Sequence, residues 1–244
     1  MKKYMSVLGL IARSSIYKFF ALLIFMFSVE SVFFIIKFPS ADQYNYYFAR
    51  FEECVVNCGV PYIFAFCFIV LTVLLCLTGI EYSSKTGYTL RRLAVKEEGI
   101  FVIQAFYNIL VYIAFWALQL CAVYLLSFYY LRSAPEEYVS NQTVFLSFYR
   151  NSFLHSLFPL EDVLLWIRNI LFIFAIGLSS AEFTYKQRRR RYGILVVVSQ
   201  VVIIAFFSRE AGSFGSLLLG IITFGVTLGS AIFTLKNKED TYDN

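Results

Sequence analysis

The 244-residue chain is 59% hydrophobic and 20% aromatic but only 15% charged, with a formal net charge of +5. Soluble domains are roughly 45–50% apolar and about 25% charged, so this composition excludes an ordinary soluble enzyme. The modest positive charge is not a nucleic-acid signal, because its placement on connectors matters more than its sum. Apolar runs of about 20 residues recur, the length that crosses a bilayer core of roughly 30 Å, and the short alternating strands of a barrel are missing. The expectation is an all-α polytopic membrane protein in one domain, 1–244, with six spans.

The first segment is mildly amphipathic, with Met5, Leu8 and Ile11 opposing Lys2 and Arg13. It is expected either as a short helix on the inner membrane surface or as a frayed extension of the first span, which lies at 19–36 between Lys18 and Lys37. No small-residue cleavage site follows it, so it reads as retained rather than as a signal peptide. Glu30 lies in the outer half of this span.

The connector 38–60 is rich in Tyr and Phe, which favour the headgroup level. Cys54 and Cys58 stand four apart in ECVVNC, a spacing that on a helix allows either a local disulfide or two free thiols. The second span, 61–80, opens with Pro61, whose missing N–H costs nothing in a first turn. Cys67, Cys76 and Cys121 lie inside apolar runs and read as small hydrophobes.

Between the second and third spans stands SSKTGYTLRRLAVKEEG, Ser83 to Gly99. It is basic yet keeps Tyr88, Leu90, Leu93 and Val95, the pattern of about two amphipathic helical turns. A third span at 100–131 is longer than a bilayer requires and contains Gln104, Asn108 and Gln119. The segment 132–158 includes FLSFYRNSFLHSLF, expected as an interfacial helix, and an Asn141 glycosylation sequon too short to carry weight.

The fourth span starts near Pro159 and runs to about Ser180, with Glu161 and Asp162 in its first turn, where carboxylates suit the helix dipole. It holds Arg168. The run KQRRRR, Lys186 to Arg191, follows, most simply as a topology anchor toward anionic lipid and alternatively as a contact for an acidic protein partner. A short fifth span, 193–207, and a sixth, 214–235, complete the set. The sixth carries two small-xxx-small pairs, Ser216 with Gly220 and Gly225 with Gly229, which allow close helix packing within the chain or at a subunit interface.

With the N-terminus inside, fifteen of the 21 Lys and Arg fall on the inner segments, so both termini are expected in the cytoplasm. Glu30, Gln104, Asn108, Gln119 and Arg168 are then candidates for a polar translocation path or gate. The plainer reading is interhelical hydrogen bonding, for example a Glu30–Arg168 pair.

Nothing in the chain assembles a nucleophile, a base and an acid. His155 is the only histidine, which argues against a zinc site. No Gly-Lys dipeptide occurs, so there is no P-loop. The chain is expected not to be an enzyme, and any ATP hydrolysis must come from another polypeptide. A transporter driven by a separate ATPase needs a rigid element to sit in a groove of the motor. The 83–99 stretch fits that need, although a helix resting on lipid phosphates fits its pattern equally well.

The stretch YSSKTGYTLRRLAVKEEGIFVIQAFYNILVYIAFWALQ resembles the second-to-third-span region of small ABC-2-type permease subunits of bacterial ABC transporters. The overall plan is similar too: an amphipathic N-terminal helix, six spans, both ends inside and no ATPase domain. The resemblance implies that Thr86, Tyr88, Thr89, Leu90, Arg91, Arg92 and Leu93 form the cytoplasmic coupling helix against an ABC ATPase subunit.

It also implies a bacterial plasma-membrane exporter with a second permease chain, identical or related. The partner ATPase binds ATP and magnesium, and this chain carries no cofactor. A hydrophobic or peptide-like substrate, as in antimicrobial-peptide or drug resistance, follows from the family alone. The chain departs from the family in one place. A re-entrant hairpin is common between the family's fifth and sixth spans, whereas this connector is only SREAGS. Two other classes stay open: a non-transporting scaffold or sensor docking a cytosolic protein, and the substrate-capturing subunit of an energy-coupled importer.

Overall fold

The computed structural model describes residues 2–38, 49–77, 96–135, 139–140, 142–188, 193–209 and 212–236. Among them are nine helices and no strand: α1 (Lys2–Lys37), α2 (Phe51–Asn57), α3 (Val60–Leu77), α4 (Glu97–Ser133), α5 (Thr143–Arg150), α6 (Ser152–Leu157), α7 (Val163–Arg188), α8 (Ile194–Phe207) and α9 (Ser213–Lys236). Five of these, α1, α3, α4, α7 and α9, are long and apolar enough to cross a membrane. The fold is that of a multi-pass helical membrane protein. The fifth apolar run does form a helix, but α8 has only 14 residues. At 1.5 Å per residue that is about 21 Å, short of a bilayer core.

Two expectations are corrected. The amphipathic N-terminal segment is not a separate surface helix. It continues without a break into α1, 36 residues long, because no Gly or Pro interrupts the run at the join near Phe19. Val7, Ile11 and Ser15 are buried, and the Ser15 and Tyr107 hydroxyls bond at 2.7 Å, so this segment packs on α4. The stretch 143–157 is likewise not one interfacial helix. It breaks at Asn151, whose side chain caps α6 by accepting from the Phe153 and Leu154 amides. Phe153, Leu154 and Leu157 of α6 are buried in the end of the bundle.

α1 and α4 run parallel. Tyr4 lies against Gly99, Ser15 meets Tyr107, and Glu30 meets Gln119. α7 runs opposite to α4, with Tyr112 bonded to Ser180 and Phe101 edge-on to Tyr185. α9 runs parallel to α7, bringing Gly220 to Arg168, and Ser230 and Thr234 to Glu182. The described chain therefore starts and finishes at the same end of the bundle, where Phe101, Ala105, Ala181, Tyr185 and Ala231 form a small cluster.

The main core is aromatic. Phe64, Phe68, Phe115 and Phe207 pack with ring centroids 5.3–6.0 Å apart, at the separations aromatic pairs prefer. Large apolar residues also cover the outside, among them Ile24, Phe66, Val102, Phe128 and Phe233. In water such a surface would aggregate, whereas in lipid it is solvated.

Candidate functional site: a buried polar seam beside a lateral groove

Arg168 is 1% exposed near the start of α7. Its Nε and Nη2 donate to Asn169 Oδ1 at 3.2 and 2.8 Å, and its Nη1 donates to the Arg209 carbonyl at 2.9 Å. Its guanidinium carbon lies 5.7 Å from the Phe172 ring centre. Asn169 in turn donates to the Ser156 carbonyl at 2.8 Å. These bonds tie α6, α7 and the α8–α9 turn together at one end of the bundle. Arg168 is thus a positioning residue, and its expected partner Glu30 lies elsewhere.

Glu30 is fully buried, and its Oε1 accepts from Gln119 Nε2 at 2.9 Å. Glu30 Oε2, Gln119 Oε1 and Asn108 Nδ2 make no hydrogen bond among the described residues. Gln104 is buried on the same helix, about four turns from Gln119. The five candidate polar residues therefore do not form one cluster. Glu30 and Gln119 join α1 to α4, while Arg168 works at α7.

A second polar seam was missed in the sequence. The Tyr112 hydroxyl lies 3.1 Å from both Thr72 Oγ1 and Ser180 Oγ. Gln200 Nε2 lies 3.4 Å from Ser180 Oγ and from Cys76 Sγ. Thr184 Oγ1 donates to the Ser180 carbonyl at 2.9 Å. This chain of small bonds runs through α3, α4, α7 and α8. Each member looks ordinary inside an apolar run, so only packing reveals the seam.

A further buried carboxylate also escaped notice. Glu182 is fully buried, and its Oε1 receives Lys186 Nζ at 2.6 Å, Ser230 Oγ at 2.6 Å and Thr234 Oγ1 at 2.9 Å. The expected fourth span stops at about Ser180, which leaves Glu182 in a solvated connector. In fact α7 continues to Arg188. The available signal was the Glu–Lys pair at i and i+4, which suits a continuing helix.

Between α3 and α8 lies a groove of about 670 Å³. Its wall is apolar, with Ala65, Ile69, Val73, Val201, Ile204 and Ala205. Thr72 and Gln200 form its floor and belong to the polar seam. Tyr62, Ile69 and Val201 at its rim are 76%, 48% and 61% exposed, so it opens sideways. At one end stand Ser152, Ser208 and Arg209. A second cup of about 520 Å³, lined by Glu52, Glu53 and Arg150, shares Val56, Asn151 and Ser152 with the groove.

The two small-residue pairs of α9 part company. Ser216 is buried, and a Cβ on Gly220 would touch Arg168 and Leu171 at 3.4 Å, so this pair packs against α7. Gly225 and Gly229 have nothing within 4 Å of such a Cβ and face outward.

Cys54 and Cys58 are both buried and free, with no disulfide between them. Burial, then the neighbouring Cys58 and the Glu53 and Glu52 carboxylates, pushes the Cys54 thiol up to about 12; burial also raises Cys58. Such thiols are poor nucleophiles. Among the described residues, no group of three His, Cys, Asp or Glu could hold a metal ion. The expected coupling residues Thr86, Tyr88, Thr89, Leu90, Arg91, Arg92 and Leu93 lie outside the described residues, as do Asn141 and Arg189 to Arg191.

These features define a helical membrane protein with a buried polar seam and a side-opening groove. No protein-family model, curated protein or solved structure matches the chain.

Proposed function

We propose that the chain is the membrane-spanning permease subunit of an ATP-driven exporter in the bacterial plasma membrane. It spans the membrane six times, with α8 and its flanks as the fifth crossing and both termini in the cytoplasm. It pairs with a second permease chain and with separate ABC ATPase subunits that bind ATP and magnesium. The observation that carries the reading is the α3–α8 groove with its floor of Thr72 and Gln200. It is open to the bilayer and within the roughly 300–1,000 Å³ typical of ligand sites. It gives a hydrophobic or peptide-like substrate a route from the lipid to polar groups inside the bundle.

The position of the coupling segment adds mechanical sense. In sequence the 83–99 stretch lies between α3, one wall of the groove, and α4, the longest of the described helices. A motor that displaces this stretch shifts α3 against α8 and alters the width of the groove. The Arg91→Glu, Arg92→Glu double variant tests the contact. It is expected to keep a folded membrane chain yet lose assembly with the ATPase, or lose ATPase stimulation. Full stimulation in that variant would refute the coupling role.

A further inference from the structure

The polar groups at the end of the α3–α8 groove are in surplus. Arg209 is exposed, and its guanidinium has no partner among the described residues. Only its backbone is engaged, through the bond from Arg168 to its carbonyl and the bond of its amide to Phe206. The Ser152 and Ser208 hydroxyls, also lining the groove, are likewise unbonded among the described residues. Together they offer one positive charge and two hydroxyl donors, the complement of a phosphate diester.

The adjoining cup has the opposite sign. Glu52 and Glu53 line it against the single cation Arg150, whose Nη1 is 3.7 Å from Glu52 Oε1. Lys37 is nearby but is occupied at the Asn57 carbonyl, 2.6 Å away. Glu53 Oε2 has one long contact, 3.4 Å from the Arg50 amide. An excess of carboxylate therefore lies just beyond the cationic end of the groove. The order along the surface is apolar slot, cationic and hydroxyl end, then acidic cup.

We infer that this continuous surface is a binding site for a zwitterionic aminophospholipid. An acyl chain lies along Ile69, Val73, Val201 and Ala205, the phosphate meets Arg209 with Ser152 and Ser208, and the terminal amine reaches Glu52 and Glu53. A purely anionic headgroup would satisfy Arg209 but put further negative or polar groups against the acidic cup. A fully cationic amphiphile would suit the cup and be repelled at Arg209. Lipid occupancy does not depend on ATP coupling, because every group involved lies on the described bundle.

The test uses the full chain purified in a neutral detergent. It is offered equal amounts of phosphatidylethanolamine and phosphatidylglycerol with identical acyl chains, and bound lipid is counted by native mass spectrometry. The expected result is retention of phosphatidylethanolamine over phosphatidylglycerol by about tenfold, the scale of a lost charge-assisted hydrogen bond. Arg209→Glu should lower the retained lipid by a similar factor. The Glu52→Gln, Glu53→Gln double variant should bring the two lipids to parity. Ala205→Trp, at an exposed position in the slot, should strip both while leaving the unfolding temperature unchanged. Should that variant fail to fold, Ile69→Trp on the opposite wall serves the same purpose. Equal binding of the two lipids, or retention undiminished by the tryptophan, would mean ordinary annular lipid and overturn the assignment.

Discussion

Asp162 shows how one side chain sets the start of a helix. Its Oδ1 accepts from the Leu164 amide at 2.9 Å and the Leu165 amide at 3.4 Å, which makes it the cap of α7 rather than a member of its first turn. A hydrogen bond from Ser213, helped by the two amides and the nearby His155, holds its carboxyl below the usual aspartate range against the opposing effect of burial. A lowered carboxyl stabilises the folded form fully above the unfolded value, and that stabilisation is lost as pH falls through the folded value. Hydrogen-exchange protection at the start of α7, measured against the intrinsic rate at each pH, should therefore stay high from neutral pH down to the aspartate range and then fall in acid. Asp162→Asn keeps the capping oxygen, so it should hold protection while flattening the acid response. An unchanged acid response in that variant would show that another group sets it. Asp162 was legible in the sequence as a helix-start acid. Its bridge to Ser213 was not, because that bridge depends on α9 returning beside α7.

At the scale of elements, the apolar runs gave the helices away, but their contacts stayed hidden. Gly177 is the clearest case. A Cβ there would come within 2.5 Å of Ile109 Cγ1 and 3.0 Å of the Ile109 backbone nitrogen. α4 and α7 thus meet nearly backbone to backbone, and backbone cannot swing aside as a side chain can. Gly177→Ala should destabilise the bundle by about 1–3 kcal/mol, the range for overpacking, measured by thermal unfolding in detergent. Gly225→Ala and Gly229→Ala should stay within about 0.5 kcal/mol, since their added methyls meet nothing within 4 Å. A loss at Gly225 equal to that at Gly177 would contradict this arrangement. The sequence marks Gly225 and Gly229 by a spacing motif and leaves Gly177 unmarked, yet only Gly177 lies in a tight contact. A motif reports that two backbones can approach, and the fold decides which ones do.

The same lesson holds for the buried charges. Glu30 and Arg168 are both visible as ionisable groups within apolar runs, and both are buried. Their pairing was not predictable, since Glu30 turns to Gln119 on α4 while Arg168 anchors the Arg209 carbonyl. Glu182 was hidden for a different reason. Its helix outlasts its apolar run, because Lys186, Ser230 and Thr234 satisfy its Oε1 beyond the point where hydropathy falls. Hydropathy finds the lipid-crossing part of a helix and misses the part carried on by polar contacts with neighbours.

For the whole molecule, α3 both walls the groove and precedes, along the sequence, the 83–99 stretch that resembles a coupling helix. The polar seam behind the groove, from Thr72 through Tyr112 and Ser180 to Gln200, links that wall to α4, α7 and α8. Movement of α3 would therefore be felt by three other helices, which is what a motor-driven permease requires. The proposed permease must bind such a motor. The most direct measurement is gentle purification of the chain from its native membrane, followed by identification and stoichiometry of whatever accompanies it. A P-loop ATPase present in a one-to-one ratio with the chain is the predicted result. Recovery of the chain with no nucleotide-binding protein, under conditions that keep it folded, would contradict the account.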